Sequence, residues 1–280
     1  MNAKPLIALS GATGNIGRAV SAQLADEGAR LRLLVRDPSR APSGAEDVAV
    51  AGYGDGEAAT AALRGVDVLF MVSAAESADR LAQHRTFIDA AAEAGVGHVV
   101  YTSFLGAAPD ATFTLGRDHF ITEEHLRASG MAWTFLRDSM YLDFLPELAG
   151  PDGVIRGPAG EGRVGAVARA DVARSAAAVL ADPARHAGSI LELTGPQALS
   201  LAEVARLTTE ITGRATSYHE ETIEEAYASR AGYGAPDWQV DAWVSTYTAI
   251  ASGELDLVTD TVERLTGRPP ISLVDLLQQA

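Results

Sequence analysis

Residues 6–17, LIAL followed by SGATGNIG, pass from an unbroken apolar run into three glycines at positions 11, 14 and 17, and no charge appears until Arg18. The residues that follow, RAVSAQLADEG, read as a helix. Few architectures place a bare glycine turn at the seam between a buried strand and a helix. The first glycine permits a tight turn, the second lets backbone approach a pyrophosphate, and the third lets the helix pack close to the strand. The helix N-terminus adds amide donors and partial positive charge. Gly11, Ala12, Thr13, Gly14, Asn15, Ile16 and Gly17 therefore form a candidate phosphate-binding turn. The spacing is GxxGxxG rather than GxGxxG, and a plain tight turn can look the same, so context has to decide.

Context comes from the first 137 residues, where short β-rich runs alternate with helices. Strands are expected at 5–10, 30–35, 47–51, 66–73, 98–103 and 132–137, and helices at 15–28, 57–65, 78–95 and 116–129. Glycines at 28, 65, 95 and 130 punctuate helix ends. The pattern predicts an α/β chain with a Rossmann-type, doubly wound parallel sheet. After 150 the texture changes: 150–165 is rich in glycine and proline, a helix is expected over 170–182, a strand over 189–195 and a helix over 200–213. From 220 onward the pattern is mostly helical. The expected division is a nucleotide-binding domain over 1–150, with 165–195 returning to it, and a smaller, mostly helical C-terminal lobe over 151–280.

Charge and composition narrow the function. Lys and Arg number 22 against 37 Asp and Glu, a formal net charge of −15. Such a chain repels phosphate backbones and anionic lipid, so neither nucleic acid nor a membrane is an expected partner. No stretch approaches the roughly 20 apolar residues that cross a bilayer. The N-terminus lacks the pattern of a secretory signal, so a soluble cytoplasmic protein is expected. Cysteine is absent, which removes disulfides and thiolate chemistry. No metal site is expected either: His119 and Glu123 share a helix face, but His125 points elsewhere. A homodimer remains open.

The end of the second strand reads LLVRDPSR. An acidic residue at that tip would hold a ribose 2′-hydroxyl. Here Arg36 occupies the tip and Arg40 follows four residues later, two guanidiniums suited to a 2′-phosphate. Asp37 between them could take a hydroxyl, and both arginines could be solvated surface residues. The cofactor favoured is NADPH over NADH.

The segments GATGNIG, VRDPSR, YGD, VSAAE, QHR, YTSF, EEHLRASGMAWTFLRDSMY, ARADVA and LELTGPQALSLAEVA occur in this order. Together they resemble the NmrA-like branch of the atypical short-chain dehydrogenases, above all its bacterial NAD(P)H-dependent quinone oxidoreductases, with triphenylmethane reductases nearby. The resemblance covers nearly the whole chain and is weakest after about residue 215. It implies a pyrophosphate loop at Gly11–Gly17 and a 2′-phosphate arginine at Arg36. It also implies backbone beside the adenosine ribose at Ser73, Ala74 and Ala75, and a serine near the nicotinamide at Ser103. Residues 136–141 would line the nicotinamide side, with Tyr141 as its aromatic, and Arg169 would lie near the cofactor or pair with Asp171. One departure is plain: the family's adenine-contacting aspartate is Gly52 here. Asp55 is expected to cap a helix, and Tyr53 is a candidate to cover the adenine.

Many short-chain dehydrogenases lower a tyrosine's pKa with a lysine four residues on, and so shuttle a proton to an alkoxide. This chain cannot build that pair, because Lys4 is its only lysine. Some relatives keep a lone catalytic lysine near the position of His119, whose imidazole Glu123 could orient. His119 and Tyr141 are therefore the candidate catalytic residues. A quinone suits these parts, because its reduced oxygens are far less basic than an alkoxide and positioning can supply most of the catalysis. Phe104, Phe113 and Phe144 could wall a flat acceptor or lie in the core. The segment EETIEEA (220–226) is expected to be a solvated acidic helix start. The competing class is a non-catalytic NAD(P)-binding redox sensor of the NmrA type; the missing tyrosine–lysine pair counts against a sugar-nucleotide epimerase.

Overall fold

The computed structural model describes residues 4–42 and 47–279. The first strand, β1 (Leu6–Leu9), is buried at all four positions, as its unbroken apolar run requires of a strand covered on both faces. It leads into α1 (Asn15–Asp26), β2 (Arg30–Val35), β3 (Val48–Val50), α2 (Gly56–Leu63), β4 (Val68–Met71), α3 (Arg80–Glu93), β5 (His98–Phe104), α4 (Thr114–Ala128) and β6 (Ala132–Asp138). The expected alternation is present element by element. The four punctuating glycines leave their helices with φ between +70° and +82°.

The rest of the chain comprises β7 (Val154–Gly157), β8 (Arg163–Val164), α5 (Arg169–Ala181), β9 (Ser189–Leu193), β10 (Leu199–Ser200), α6 (Leu201–Thr212), β11 (Ser217–Glu220), α7 (Ile223–Arg230), α8 (Asp237–Ala251), α9 (Thr261–Thr266) and α10 (Leu273–Gln278). Seven strands form the main sheet in the order β3-β2-β1-β4-β5-β6-β9. From β3 through β5 every pairing is parallel, with Leu9 opposite Leu33 on one side and Phe70 on the other. The strand order reverses direction at β1, between β2 and β4. In an open α/β sheet that reversal opens the ligand crevice at the carboxyl ends of the strands. This is the Rossmann-type fold that the alternation predicts.

The chain forms two compact units, one of residues 1–103, 120–137 and 172–191, the other of 104–119, 138–171 and 192–280. The core of the first gathers Leu34, Leu63, Leu69, Met71, Phe87, Tyr101, Leu126 and Phe135. The second has its own core around Leu142, Leu145, Ile155, Val164, Leu201, Val204, Tyr247 and Ile250. Within that second unit, β7 pairs parallel with β11 and β8 antiparallel with β10. A Cβ at Gly157 would stand 2.2 Å from the Tyr247 ring, so only glycine lets α8 lie this close to β7.

One surface expectation is corrected inside the second unit. Glu221, read as part of a solvated acidic helix start, is buried and accepts from Arg230 Nη1 at 2.9 Å. The same guanidinium, itself buried, also donates to the carbonyls of Ala226 and Arg156 and lies 5.0 Å from the Tyr247 ring centroid. Polar residues in a row gave no sign that the second of them turns inward to meet the cation that ends α7. Glu221→Ala would strand a buried guanidinium and should destabilise the fold by about 3–5 kcal/mol, read from urea unfolding. Loss below about 1 kcal/mol would mean that solvent already screens the pair.

Candidate active site

The turn after β1 has the geometry its three glycines suggest. Gly11 takes φ +62°, and a Cβ there would press on the Val72 side chain at 3.0 Å. At Gly17 a Cβ would sit 2.3 Å from the Gly11 carbonyl oxygen, a distance no side chain tolerates. The Gly14 amide closes the turn onto that carbonyl at 2.9 Å. Among the described residues, no acceptor takes the amides of Asn15, Ile16 or Gly17. Helix α1 also lacks a side-chain cap and any acid in its first turn, whereas α2, α6, α7 and α10 are capped by Asp55, Ser200, Thr222 and Ser272. An uncapped helix start with open amides and close backbone access is what a diphosphate needs, and the residues present fit one.

Arg36 and Arg40 are both exposed, the first ahead of a short 3-10 turn at Pro38–Arg40 and the second at its end. Asp37 between them is engaged locally. Its Oδ1 accepts from Ser39 N at 3.0 Å and from Ser39 Oγ at 2.7 Å, and these bonds hold the carboxyl below the usual carboxylate range. The acid that could have taken a ribose hydroxyl thus caps a turn instead.

The backbone after β4 is held from beneath. Ser73 N donates to Thr102 Oγ1 at 2.8 Å, Ala74 N to His84 Nε2 at 2.9 Å, and Arg80 Nε donates to the Ala74 carbonyl at 3.1 Å. Since His84 Nε2 accepts, its proton lies on Nδ1, which faces Thr122 Oγ1 at 2.9 Å. Burial, and secondarily the Arg80 guanidinium, push the His84 pKa down to about 3, so the ring is neutral. Tyr53, a candidate to cover the adenine, is tied into the fold: its hydroxyl pairs with Ser10 Oγ at 2.6 Å and donates to the Val72 carbonyl, and its ring packs on Phe87.

Ser103, at the end of β5, is buried and donates from Oγ to Glu123 Oε1 at 2.6 Å. Glu123 is 0% exposed and is gripped by Arg137 at 2.9 and 2.7 Å, with Arg127 at 3.4 Å. Arg127 is itself held over the stacked rings of Trp133 and Phe135. The carboxylate expected to orient His119 thus fixes the direction of the Ser103 hydroxyl, which keeps its lone pairs for an incoming donor.

The second unit carries the other candidates. His119 is buried with its ring 6.1 Å from that of Phe104, which packs on Phe113 at 4.8 Å. Phe144, the third expected wall residue, is 42% exposed. Tyr141 opens a 3-10 turn at Leu142–Leu148, and the guanidinium of Arg169 stands 5.2 Å from its ring centroid. Asp143 Oδ2 accepts from Arg169 N at 2.8 Å, while Asp171 Oδ2 accepts from Ile271 N. Tyr141 Oη donates to Asp138 Oδ2 at 3.4 Å.

Sequence reasoning passed over the supports. His84 stood in plain view in QHR, but nothing in its spacing says that it receives a backbone amide ten residues earlier. Arg137 and Asp138 adjoin in LRDSMY, and only the end of β6 separates a charge that meets Glu123 from a carboxyl that meets a phenol.

A family model described as NAD(P)H-binding matches residues 11–183, and the chain belongs to that NAD(P)H-binding family. It is 34% identical over 278 residues to quinone oxidoreductase 2 of Escherichia coli, covering 96% of each chain. It is 35% identical over 270 residues to the NAD(P)H azoreductase of Xenophilus azovorans, covering 94% of each. Among solved structures, the NADPH complex of the NADPH-dependent quinone oxidoreductase of Escherichia coli matches with a TM-score of 0.89 at 33% identity, covering 98% of this chain and 99% of that one.

The neutral His84 sets a pH dependence. Between pH about 6.5 and about 3 the unfolded chain takes a proton at this residue and the folded chain does not, so stability is full above that window and falls as pH drops through it. Urea unfolding at stepped pH should show that decline, and His84→Gln should flatten it. An unchanged slope in the variant would refute the assignment.

Proposed function

We propose that the chain is an NADPH-dependent oxidoreductase that passes a hydride to a quinone or a similarly electron-poor small molecule. The observation that carries this reading is the uncapped, side-chain-free start of α1, with exposed guanidiniums at the tip of β2 and the neighbouring acid already engaged. Whole-length likeness to a quinone oxidoreductase and an azoreductase supports the acceptor class. Bound NADPH would supply the hydride.

The chain's own residues bind and orient. Gly11, Ala12, Thr13, Gly14, Asn15, Ile16 and Gly17 take the pyrophosphate through peptide nitrogens, and Arg36 with Arg40 takes the 2′-phosphate by charge-assisted bonds. Ser73, Ala74 and Ala75 run beside the adenosine ribose, in a backbone that His84, Thr102 and Arg80 keep from shifting. Ser103, its hydroxyl aimed by Glu123, serves the nicotinamide carboxamide as an acceptor. Tyr141 and His119 stand on the acceptor side, with Arg169 supporting Tyr141. Phe104 and Phe113 supply an apolar surface that favours a flat ring over water. The formal charge of −15 makes a small molecule, rather than nucleic acid or a membrane, the partner.

NADPH absorbance followed against a panel of quinones tests the activity, and turnover is the expected result. Stoichiometric NADPH binding with no turnover on any acceptor would favour the redox-sensor reading instead. For the cofactor, the parent protein should prefer NADPH to NADH. Arg36→Ala should weaken NADPH binding about 10- to 100-fold and leave NADH nearly unchanged, the loss of a charge-assisted contact of about 1.5–3 kcal/mol. Equal affinities in the parent protein would defeat the 2′-phosphate assignment.

A further inference from the structure

Asp138 ends β6 as a carboxylic acid with almost no polar company. It is 2% exposed, and its Oδ1 meets no hydrogen-bond partner among the described residues. Its side chain's one described contact is the Tyr141 hydroxyl at Oδ2, 3.4 Å away. The neighbouring segments bring backbone: Leu105 N donates to the Asp138 carbonyl, and Ser139 N donates to Leu193 O. Burial raises the Asp138 pKa well above the ordinary carboxylate value, opposed only by the phenol. Buried polar atoms are rarely left unsatisfied, and a buried carboxyl with an open oxygen beside a phenol is a candidate for proton handling rather than for packing.

Resting on the oxidoreductase reading above, we propose that Asp138 is the proton reservoir behind Tyr141: the phenol gives its proton to the reduced acceptor oxygen, and the Asp138 carboxyl then recharges the phenol. The Tyr141 O–H bond breaks as the acceptor O–H bond forms. The Asp138 O–H bond breaks as the Tyr141 O–H bond is restored, and solvent returns the proton to Asp138 between turnovers. Both electrons reach the acceptor with the hydride that NADPH supplies. Tyr141 donates across the 3.4 Å contact in the resting protein, and the direction reverses once the phenol has lost its proton. Arg169, 5.2 Å from the Tyr141 ring centroid, sets a fixed positive charge over the ring of the phenol that becomes negative, and Asp143 holds the Arg169 backbone. Asp138 acts through Tyr141 and is a positioning residue in this scheme. The arrangement supplies a proton in a chain whose only lysine is Lys4.

The test has a spectroscopic and a kinetic arm. Infrared spectra of the cofactor-free protein at neutral pH should show the carbonyl band of a protonated carboxylic acid, missing in Asp138→Asn. With NADPH and a series of quinones whose reduced oxygens grow more basic, Asp138→Asn should lower kcat about tenfold at the least basic end and about 100-fold at the most basic, with KM nearly unchanged. Parent kcat should fall on the alkaline side toward the value of the variant, whose own profile stays flat there. Tyr141→Phe should show a similar loss while keeping the infrared band, and the double variant should lose no more than either single one. If Asp138→Asn does not fold, Tyr141→Phe with the band retained carries the kinetic arm. Absence of the band from the parent protein, or equal kcat for Asp138→Asn across the series, overturns the reservoir and leaves the oxidoreductase reading standing. A parent protein that reduces no acceptor overturns both.

Discussion

The carbonyl oxygen of Gly11 occupies the place where a side chain on residue 17 would begin, 2.3 Å from the ideal Cβ position. This contact fixes how closely α1 follows β1, and much of the first unit follows from it. The residue at the helix cap is Gly14, which has no side chain to offer, so the first amides stay open. Those amides lie at the carboxyl end of β1, where the strand order reverses between β2 and β4. The fold thus leaves a cluster of unsatisfied donors at the crevice, at a cost that an anion offsets on binding.

Strand ends are made of backbone, and backbone needs props to hold a position within a fraction of an ångström. Buried His84 receives the amide of Ala74, Thr102 receives that of Ser73, and Glu123 with Arg137 directs Ser103. Burying these polar groups is costly unless every one is paired, and pairing confines each to a single arrangement. The His84 ring works only as a neutral acceptor at Nε2, a state that its burial and then the Arg80 guanidinium favour.

Much of this was legible in the sequence, for a definite reason. The alternation of β-rich runs with helices, the glycines that end helices and the bare turn at 11–17 are local signals, and local sterics enforce them. The cap made by Asp55 and the exposed place of Arg36 could be read in the same way. The supports could not. His84 meets a residue ten positions earlier, and Ser103 one twenty positions later; the sheet brings those pairs together and no spacing rule does. The ties of the Tyr53 hydroxyl to Ser10 and Val72 had no local signal either, because an aromatic near a strand tip looks alike however its hydroxyl is engaged. Glu221 was misread because its partner, Arg230, stands at the far end of a helix. The interleaving of residues 104–119 and 120–137 between two units has no marker in composition.

Two buried carboxyls show how this chain divides its chemistry. Glu123 is met by the guanidiniums of Arg137 and Arg127, so it serves as a fixed acceptor for the Ser103 hydroxyl. Asp138, which follows Arg137 directly in sequence, points to the other face of β6, and among the described residues its side chain meets a phenol and no cation. Strand alternation separates Arg137 from Asp138, since successive side chains leave opposite faces. Arginine cannot serve as an acid at neutral pH, so a chain with one lysine must place any labile proton on imidazole, phenol or a carboxyl kept from charge. One step along β6, from residue 137 to 138, separates the cation that holds Glu123 from a carboxyl whose pKa burial pushes up.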